Sequence, residues 1–194
     1  MDSAATLDSE ELMHLALYAS EHDTPEKAIG HLKRLLNNEP RHGQARYFLG
    51  ALHAEIGMYD KAVEEMTEAI SVDPNLPPTA HFQLGLIHLT SGRIDEAKTV
   101  WQDLDKLGEN HFLHMFKTGM LHLVDNEFDS CINLLDAGIK QNTVNEDLNN
   151  DMRRVIQQAE NAGGKPAAND ASASTSTLNG QRMLLSAYQR DSEE

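Results

Sequence analysis

The hydrophobic positions of this chain recur with the three- and four-residue spacing of helices, and the whole pattern repeats along the sequence. Gly50 is followed 35 residues later by Gly85 and a further 34 residues later by Gly119. The 35-residue step also leads from Gly57 to Gly92. A period of this length is typical of stacked helical hairpins, because a single hairpin cannot bury its own apolar face. The pattern therefore predicts a series of helical hairpins between residues 9 and 143.

Two slots of the repeat hold small side chains in all four copies. The eighth slot is occupied by Ala16, Gly50, Gly85 and Gly119, and the twentieth by Ala28, Ala62, Ala97 and Cys131. Small residues at both slots allow two antiparallel helices to approach closely. Together with Pro40 and Pro74 near the thirty-second slot, they resemble the tetratricopeptide repeat family.

The resemblance implies an all-α fold: a right-handed α-solenoid of four helix-turn-helix repeats. An amphipathic capping helix is predicted to follow, then a flexible linker rich in Gly, Ala, Ser, Thr and Asn, and a short apolar tail helix. The predicted parts are an N-terminal extension (1–8), four repeats (9–42, 43–77, 78–111 and 112–143), the capping helix (144–160), the linker (161–180) and the tail helix (181–194).

In the family the first helix of each hairpin lines a concave face, and its slots two, five, nine and twelve commonly touch a ligand. At and beside these slots the sequence is apolar, which predicts a peptide-binding groove. The predicted groove residues are Met13, Leu17, Tyr47, Phe48, Ala51, Phe82, Leu86, Leu89, Phe116, Met120 and Leu123. An exposed apolar patch of this kind usually marks a binding site. The alternative is that these side chains belong to the core, since a shift of one slot would bury them.

The tail provides a possible occupant of this groove. Met183, Leu184, Ala187 and Tyr188 recur at helical spacing at the end of the predicted tether. The hypothesis is that this segment is a self-ligand, bound in cis or in a swapped homodimer, which shields the groove until a partner competes for it.

The charge and composition of the chain disfavour several classes of binding partner. The formal net charge is −15, from 31 acidic and 16 basic side chains, which disfavours binding to nucleic acid or to anionic membrane surfaces. The single cysteine cannot form an intrachain disulfide, and no apolar run is long enough for membrane insertion. Because the N-terminus also lacks the pattern of a secretory signal, we expect a cytoplasmic protein.

We expect neither a cofactor nor a metal, and no enzymatic activity. His53, His88 and His122 share the eleventh slot, so they would stack about 10 Å apart, too far to share one ion. His111 and His114 lack an obvious third ligand. Cys131 fills a slot that requires a small buried residue, which favours a structural role over a nucleophilic one.

The sequence thus predicts a protein whose partner is another polypeptide, an apolar helix or extended segment. The concave slots lack the Lys, Arg and Asn clamp with which some family members hold acidic chaperone tails. Residues 46–66 resemble the second repeat of the small tetratricopeptide chaperones of type III secretion translocators. A chaperone for an exported or aggregation-prone substrate and a passive assembly scaffold therefore stand as alternatives to an adaptor.

Overall fold

The computed structural model describes residues 7–163, and within them every regular element is helical. The predicted all-α class is therefore confirmed. Within this range nine α-helices and one 3-10 helix follow each other in the order α1 (Ser9–His22), α2 (Pro25–Asn38), α3 (Gly43–Glu55), α4 (Tyr59–Val72), α5 (Thr79–Thr90), α6 (Ile94–Trp101), the 3-10 helix (Gln102–Leu107), α7 (Phe112–Val124), α8 (Phe128–Gln141) and α9 (Glu146–Gly163).

The chain divides into two compact units, an N-terminal unit up to Ala80 and a C-terminal unit from His81 onwards. In the N-terminal unit, α1 packs with α2 and α3 with α4, and α2 also contacts α3. The start of α1 is fixed by a capping box in which Asp8 accepts from the Glu11 backbone while Glu11 accepts from the Asp8 backbone. The predicted close approach is present in the second hairpin, where a Cβ at Gly50 would lie 2.7 Å from Met66 Cγ.

The C-terminal unit has an aromatic core. Phe82 of α5 stacks against Trp101 of α6 with ring centroids 5.8 Å apart, and it meets Phe116 of α7 at 6.2 Å. The Trp101 indole donates a 3.0 Å hydrogen bond to the Phe82 carbonyl. Gly85 leaves the space into which the indole ring fits, because a Cβ there would collide with it. Gly119 does the same for Leu135 of α8.

Three of the hairpin turns share one backbone design. In each, the eleventh-slot histidine carbonyl accepts from the residue five positions later, and the residue between them has a left-handed backbone. The three acceptor and donor pairs are His53 with Met58, His88 with Arg93, and His122 with Glu127. The left-handed residues are Gly57 (φ 78°), Gly92 (φ 74°) and Asn126 (φ 59°). This is the Schellman termination, in which Asn is tolerated in place of Gly.

The third hairpin departs from the others because its second helix changes to a 3-10 helix after Trp101. Lys117 of α7 is buried there, donates a 3.2 Å hydrogen bond to the Trp101 carbonyl and forms an ion pair with Asp105. The carbonyl freed by the change of helix type is thus satisfied by a side chain from the next helix. Lys117 is therefore a buried structural group.

A network of three buried asparagines joins α8 to α9. Asn142 donates 2.9 Å hydrogen bonds to the Asn145 carbonyl and to Asn149 Oδ1. Asn149 Nδ2 donates in return to the Asn142 carbonyl at 2.9 Å. Asn145 Oδ1 accepts from the Leu148 backbone at 2.9 Å, which caps the start of α9. The turn is therefore held by amides whose buried polar groups are paired.

The capping helix differs from its predicted bounds, since α9 begins at Glu146 and continues to Gly163. Asn161 and Ala162, assigned to the linker, extend the helix by half a turn because nothing in their side chains ends it. The division into repeats and the N-terminal extension stay predictions. The rest of the linker and the tail helix of 181–194 lie outside the described residues.

Candidate protein-interaction surface

Most of the residues predicted to line a groove are buried. Tyr47, the central aromatic of α3, is 1% exposed, and ten of the thirteen residues of α3 are buried. The positions of α3 that retain exposure are polar, with Gln44 exposed and Glu55 half-buried. Seven predicted groove residues are buried in this way: Tyr47, Phe48, Ala51, Phe82, Leu86, Phe116 and Met120.

The contacts of two of these residues explain the difference. The ring of Phe116 on α7 packs against α8. A Cβ added at Gly138 of α8 would lie 2.5 Å from this ring. Phe82 packs on Trp101. These aromatic rings therefore belong to the core of the C-terminal unit, and the prediction that they face an open groove is corrected. Their slot is apolar because it packs both within a hairpin and between neighbouring hairpins of this unit.

Four predicted groove residues remain half-buried. Met13 and Leu17 lie on α1 in the N-terminal unit, and Leu89 and Leu123 lie near the ends of α5 and α7 in the C-terminal unit. Their side chains keep part of their surface open to a partner. The predicted tail ligand, Met183, Leu184, Ala187 and Tyr188, lies outside the described residues.

Sequence reasoning missed the most exposed apolar side chains. Among residues 7–163, six large apolar residues are exposed: Leu15, Tyr18, Ile56, Met58, Tyr59 and Val144. Leu15 and Tyr18 lie on α1. Ile56 and Met58 lie on the α3–α4 turn and Tyr59 is the first residue of α4, so these five belong to the N-terminal unit. Two features of their positions could have indicated this exposure. Ile56, Met58 and Tyr59 come directly after the last turn of a helix, and Leu15 and Tyr18 lie on a helix that no described hairpin precedes.

The three eleventh-slot histidines are in different environments. Burial lowers the pKa of His53 to about 4, with Lys33 and Lys61 acting in the same direction. Burial also lowers the pKa of His88. His122 is half-buried, and its Nδ1 lies 2.5 Å from a Glu127 carboxylate oxygen. The first two imidazoles are therefore neutral core groups near pH 7.

The histidines considered as metal ligands have separate structural partners. His111 accepts from the Leu113 backbone at 3.2 Å and stacks on Phe112. His114 Nδ1 lies 3.4 Å from Asp105, the carboxylate that pairs with Lys117. In the part of the chain that the structure describes, no three His, Cys, Asp or Glu side chains form a group suited to a metal ion.

Cys131 is fully buried in the C-terminal core at the slot where the other repeats have Ala. Burial raises the pKa of its thiol to about 11, so the thiol is protonated at neutral pH.

One segment of the chain matches a known protein family. Residues 43–76, which contain α3 and α4, match the family model of the tetratricopeptide repeat. This segment is a tetratricopeptide repeat. The predicted family is thus confirmed, and the family supports a role in protein–protein interaction. The further resemblance to type III secretion chaperones stays a prediction.

Three solved structures have a similar fold. MamA from Desulfovibrio magneticus RS-1, from its residue 41 to the end, is similar with a TM-score of 0.61 and 14% identity, over 98% of this chain and 100% of that chain. A MamA RS-1 double mutant is similar with a TM-score of 0.61 and 14% identity, over 98% of this chain and 99% of that chain. A further MamA crystal structure is similar with a TM-score of 0.59 and 16% identity, over 94% of this chain and 91% of that chain. At these identities the likeness concerns the fold alone.

No curated protein gives a significant match to this sequence. Within residues 7–163, none of the helices combines the length and the apolar character that a bilayer span requires.

Proposed function

We propose that this tetratricopeptide-repeat protein binds another polypeptide whose contact residues are apolar and flanked by basic side chains. The observation that supports this most is the set of exposed apolar side chains in the N-terminal unit, on a chain with 31 acidic and 16 basic residues. Covering one large apolar side chain completely contributes about 1.5–3 kcal/mol. Several half-covered side chains therefore offset the entropic cost of binding for a partner of moderate affinity.

The half-buried residues of the predicted groove are part of this proposal. Met13 and Leu17 add apolar surface to the N-terminal unit, and Leu89 and Leu123 offer smaller contacts in the C-terminal unit. Each unit is proposed to contact the partner through its own residues. The seven buried groove residues are not proposed as contacts.

The experiment that tests this proposal uses the full-length chain as bait in a native extract, with two variants of opposite expectation. Met58→Ser combined with Tyr59→Glu removes exposed apolar surface at the α3–α4 turn, and Glu is well accepted in the first turn of a helix. Gln157→Glu adds the same charge to an exposed polar position on α9. We expect the first variant to retain about tenfold less of the captured protein, a loss of about 1.4 kcal/mol, and the second to retain all of it.

Equal retention by both variants would contradict binding through this surface. The same bait distinguishes the roles that the sequence left open. An adaptor exchanges its bound partner when free partner is added, whereas a passive scaffold keeps a stoichiometric complex that does not exchange. A chaperone co-purifies with one dominant substrate and keeps that substrate soluble.

A further inference from the structure

One side of α1 has the residue spacing of a stacking face, but its side chains are exposed. On α3 the third, seventh and tenth slots are apolar and buried: Ala45, Leu49 and Leu52. The corresponding residues of α1 are exposed: Glu11, Leu15 and Tyr18. The exposed fractions of Leu15 and Tyr18 are 37% and 59%. We call these three side chains the α1 stripe.

Elsewhere in the described residues this side of a helix is covered by the helix before it. α3 packs against α2. Leu148, Met152 and Val155 of α9 have the same spacing and are buried, and α9 packs against α8. The described residues contain no hairpin before α1. Because a hairpin cannot cover its own stacking face, α1 remains open to one further helix.

The two covering helices share a pattern of aliphatic residues. α2 contacts both α1 and α3, and its Ile29 and Leu36 lie on a different side from its fully buried residues. Ile132 and Ile139 of α8 pack against the buried cluster that includes the inner side of α9. In each helix the two residues are seven positions apart, which is about two turns, so both lie on one side. This spacing is what a stacking face of this chain accepts.

The charges on α1 indicate which kind of helix fits there. α1 carries Glu10, Glu11 and Glu21, all exposed, and no lysine or arginine. Glu11 occupies the slot at which α3 has Ala45, so a covering helix meets a carboxylate at that end of the stripe. Glu11 Oε2 is held in place, because it accepts a 2.9 Å hydrogen bond from the Asp8 backbone. A lysine or arginine on the covering helix complements this carboxylate.

The same charges oppose a second copy of α1 as the occupant. Two copies paired through this helix would bring both sets of glutamates together, with no lysine or arginine on either helix. Like charges so placed destabilise a complex. A basic helix from another protein is therefore the occupant that both the apolar and the acidic residues of α1 favour.

We propose that the α1 stripe binds an amphipathic helix of another protein. This helix carries two aliphatic residues seven positions apart and a lysine or arginine beside them. It lies on α1 as α2 lies on α3, and so supplies the second helix of a preceding hairpin. The inference rests on the proposed function, since it names the class of helix that the N-terminal unit binds.

The test uses the full-length chain and a dye-labelled synthetic peptide as the probe. The peptide is an alanine-rich helix with two isoleucines seven positions apart and lysines beside them, and fluorescence anisotropy measures its dissociation constant. We expect Leu15→Ser combined with Tyr18→Ser to weaken binding at least about tenfold, because the apolar contact is lost. A peptide with glutamates in place of the lysines should bind at least about tenfold more weakly than the lysine peptide.

Glu11→Gln tests the charge at the end of the stripe. Glutamine can still form the capping box, so the variant removes the charge and keeps the start of α1. We expect the lysine peptide to bind about threefold more weakly. Glu64→Gln is the matched control, because it removes the same charge from an exposed position on α4 and should leave the dissociation constant unchanged.

Several outcomes would overturn the proposal. The lysine peptide fails to bind, the glutamate peptide binds as tightly, or the Leu15→Ser, Tyr18→Ser variant binds equally with its helicity intact. Equal losses in Glu11→Gln and Glu64→Gln would mean that the net charge of the chain attracts the peptide. A dimer of the unmodified chain that Leu15→Ser and Tyr18→Ser abolish in sedimentation would make a second copy the occupant. Tighter binding of a peptide of residues 181–194 would make the chain's own tail the occupant.

This test is separate from the test of the proposed function. Met58→Ser combined with Tyr59→Glu changes the α3–α4 turn and leaves the α1 stripe intact, so this variant should bind the lysine peptide normally. If the peptide does not bind while the partner capture still depends on Met58 and Tyr59, the proposed function stands and the inference about α1 is wrong.

Discussion

The first and last described helices, α1 and α9, have opposite outer surfaces. The outer side of α9 is polar and exposed, with Arg153, Arg154 and Gln157 among its residues, and its inner side buries Met152 and Val155. On α1 the side away from the core carries Leu15 and Tyr18. A polar outer side ends a stack of repeats, whereas an apolar one leaves it open to another helix. The two helices therefore differ in the chemistry of the side chains that they expose.

The largest expected effect concerns the inner side of α9. Met152→Ala removes a fully buried side chain from the C-terminal core and should lower the free energy of unfolding by about 3 kcal/mol, because a cavity remains. Leu15→Ala on α1 should cost less than about 1 kcal/mol, since part of that side chain is already in water. Urea unfolding followed by far-ultraviolet circular dichroism measures both. Similar losses would remove the distinction between the two ends.

A second difference between the N-terminal unit and the α8–α9 joint is how the free energy of unfolding depends on pH. The α8–α9 joint is held by asparagine amides, which do not titrate, whereas the N-terminal unit buries His53 with a pKa of about 4. In the unfolded chain this imidazole takes up a proton near pH 6.5, and in the folded chain it does so only near pH 4. Below pH 6.5 the unfolded state therefore binds more protons, and the free energy of unfolding at pH 4 is about 3 kcal/mol lower than at neutral pH.

His53→Phe tests the origin of this slope. Nδ1 of His53 makes no hydrogen bond within the described residues, and phenylalanine has an aromatic ring of similar size that cannot titrate. We expect the slope of unfolding free energy against pH to flatten between pH 6.5 and 4, whatever the change in absolute stability. An unchanged slope would assign the pH dependence to other groups.

A smaller gain is expected at Gly30 in the middle of α2. A Cβ at this position would meet nothing within 4 Å. Gly30→Ala should therefore raise the free energy of unfolding by about 0.5–1 kcal/mol, because alanine loses less backbone entropy in a helix. Gly57→Ala is the contrasting variant, since its φ of 78° strains any L side chain. Thermal unfolding should order the three proteins with Gly30→Ala highest and Gly57→Ala lowest.

The smallest effect should come from Leu15, which lies on the exposed side of α1. Leu15→Ser should change the free energy of unfolding by about 0.5 kcal/mol or less, as for most surface positions. Leu49→Ser at the same slot of α3 is its matched control, and there a buried side chain would be lost together with a newly buried hydroxyl. An equally large loss at both positions would mean that α1 is covered as fully as α3.

The helical hairpins were predictable because their signal is local and repeated. Slots eight and twenty require small residues wherever two helices cross closely, and the contact of Gly50 with Met66 confirms that reason. The turn at Asn126 was harder to predict. Asn126 occupies the same slot of the repeat as Gly57 and Gly92, and its backbone is left-handed as theirs is. Asn in a helical sequence does not by itself indicate a helix end.

The surface was predicted less well than the fold. Periodicity identifies the apolar side of a helix, but it does not say which neighbour covers that side. Phe82 and Phe116 were assigned to a groove although their contacts with Trp101 and Gly138 belong to the core. The asparagine joint was missed because each Asn alone indicates only a turn, and its burial depends on where α8 and α9 meet.

Trp101 is the single tryptophan of the chain, and its ring is fully buried in the C-terminal unit. Its fluorescence is therefore a local reporter, sensitive to water entering one half of the molecule and silent about the other. If the emission shift and the loss of helical signal occur at different denaturant concentrations, the two halves melt one after the other. Coincident curves mean that they melt as one cooperative body.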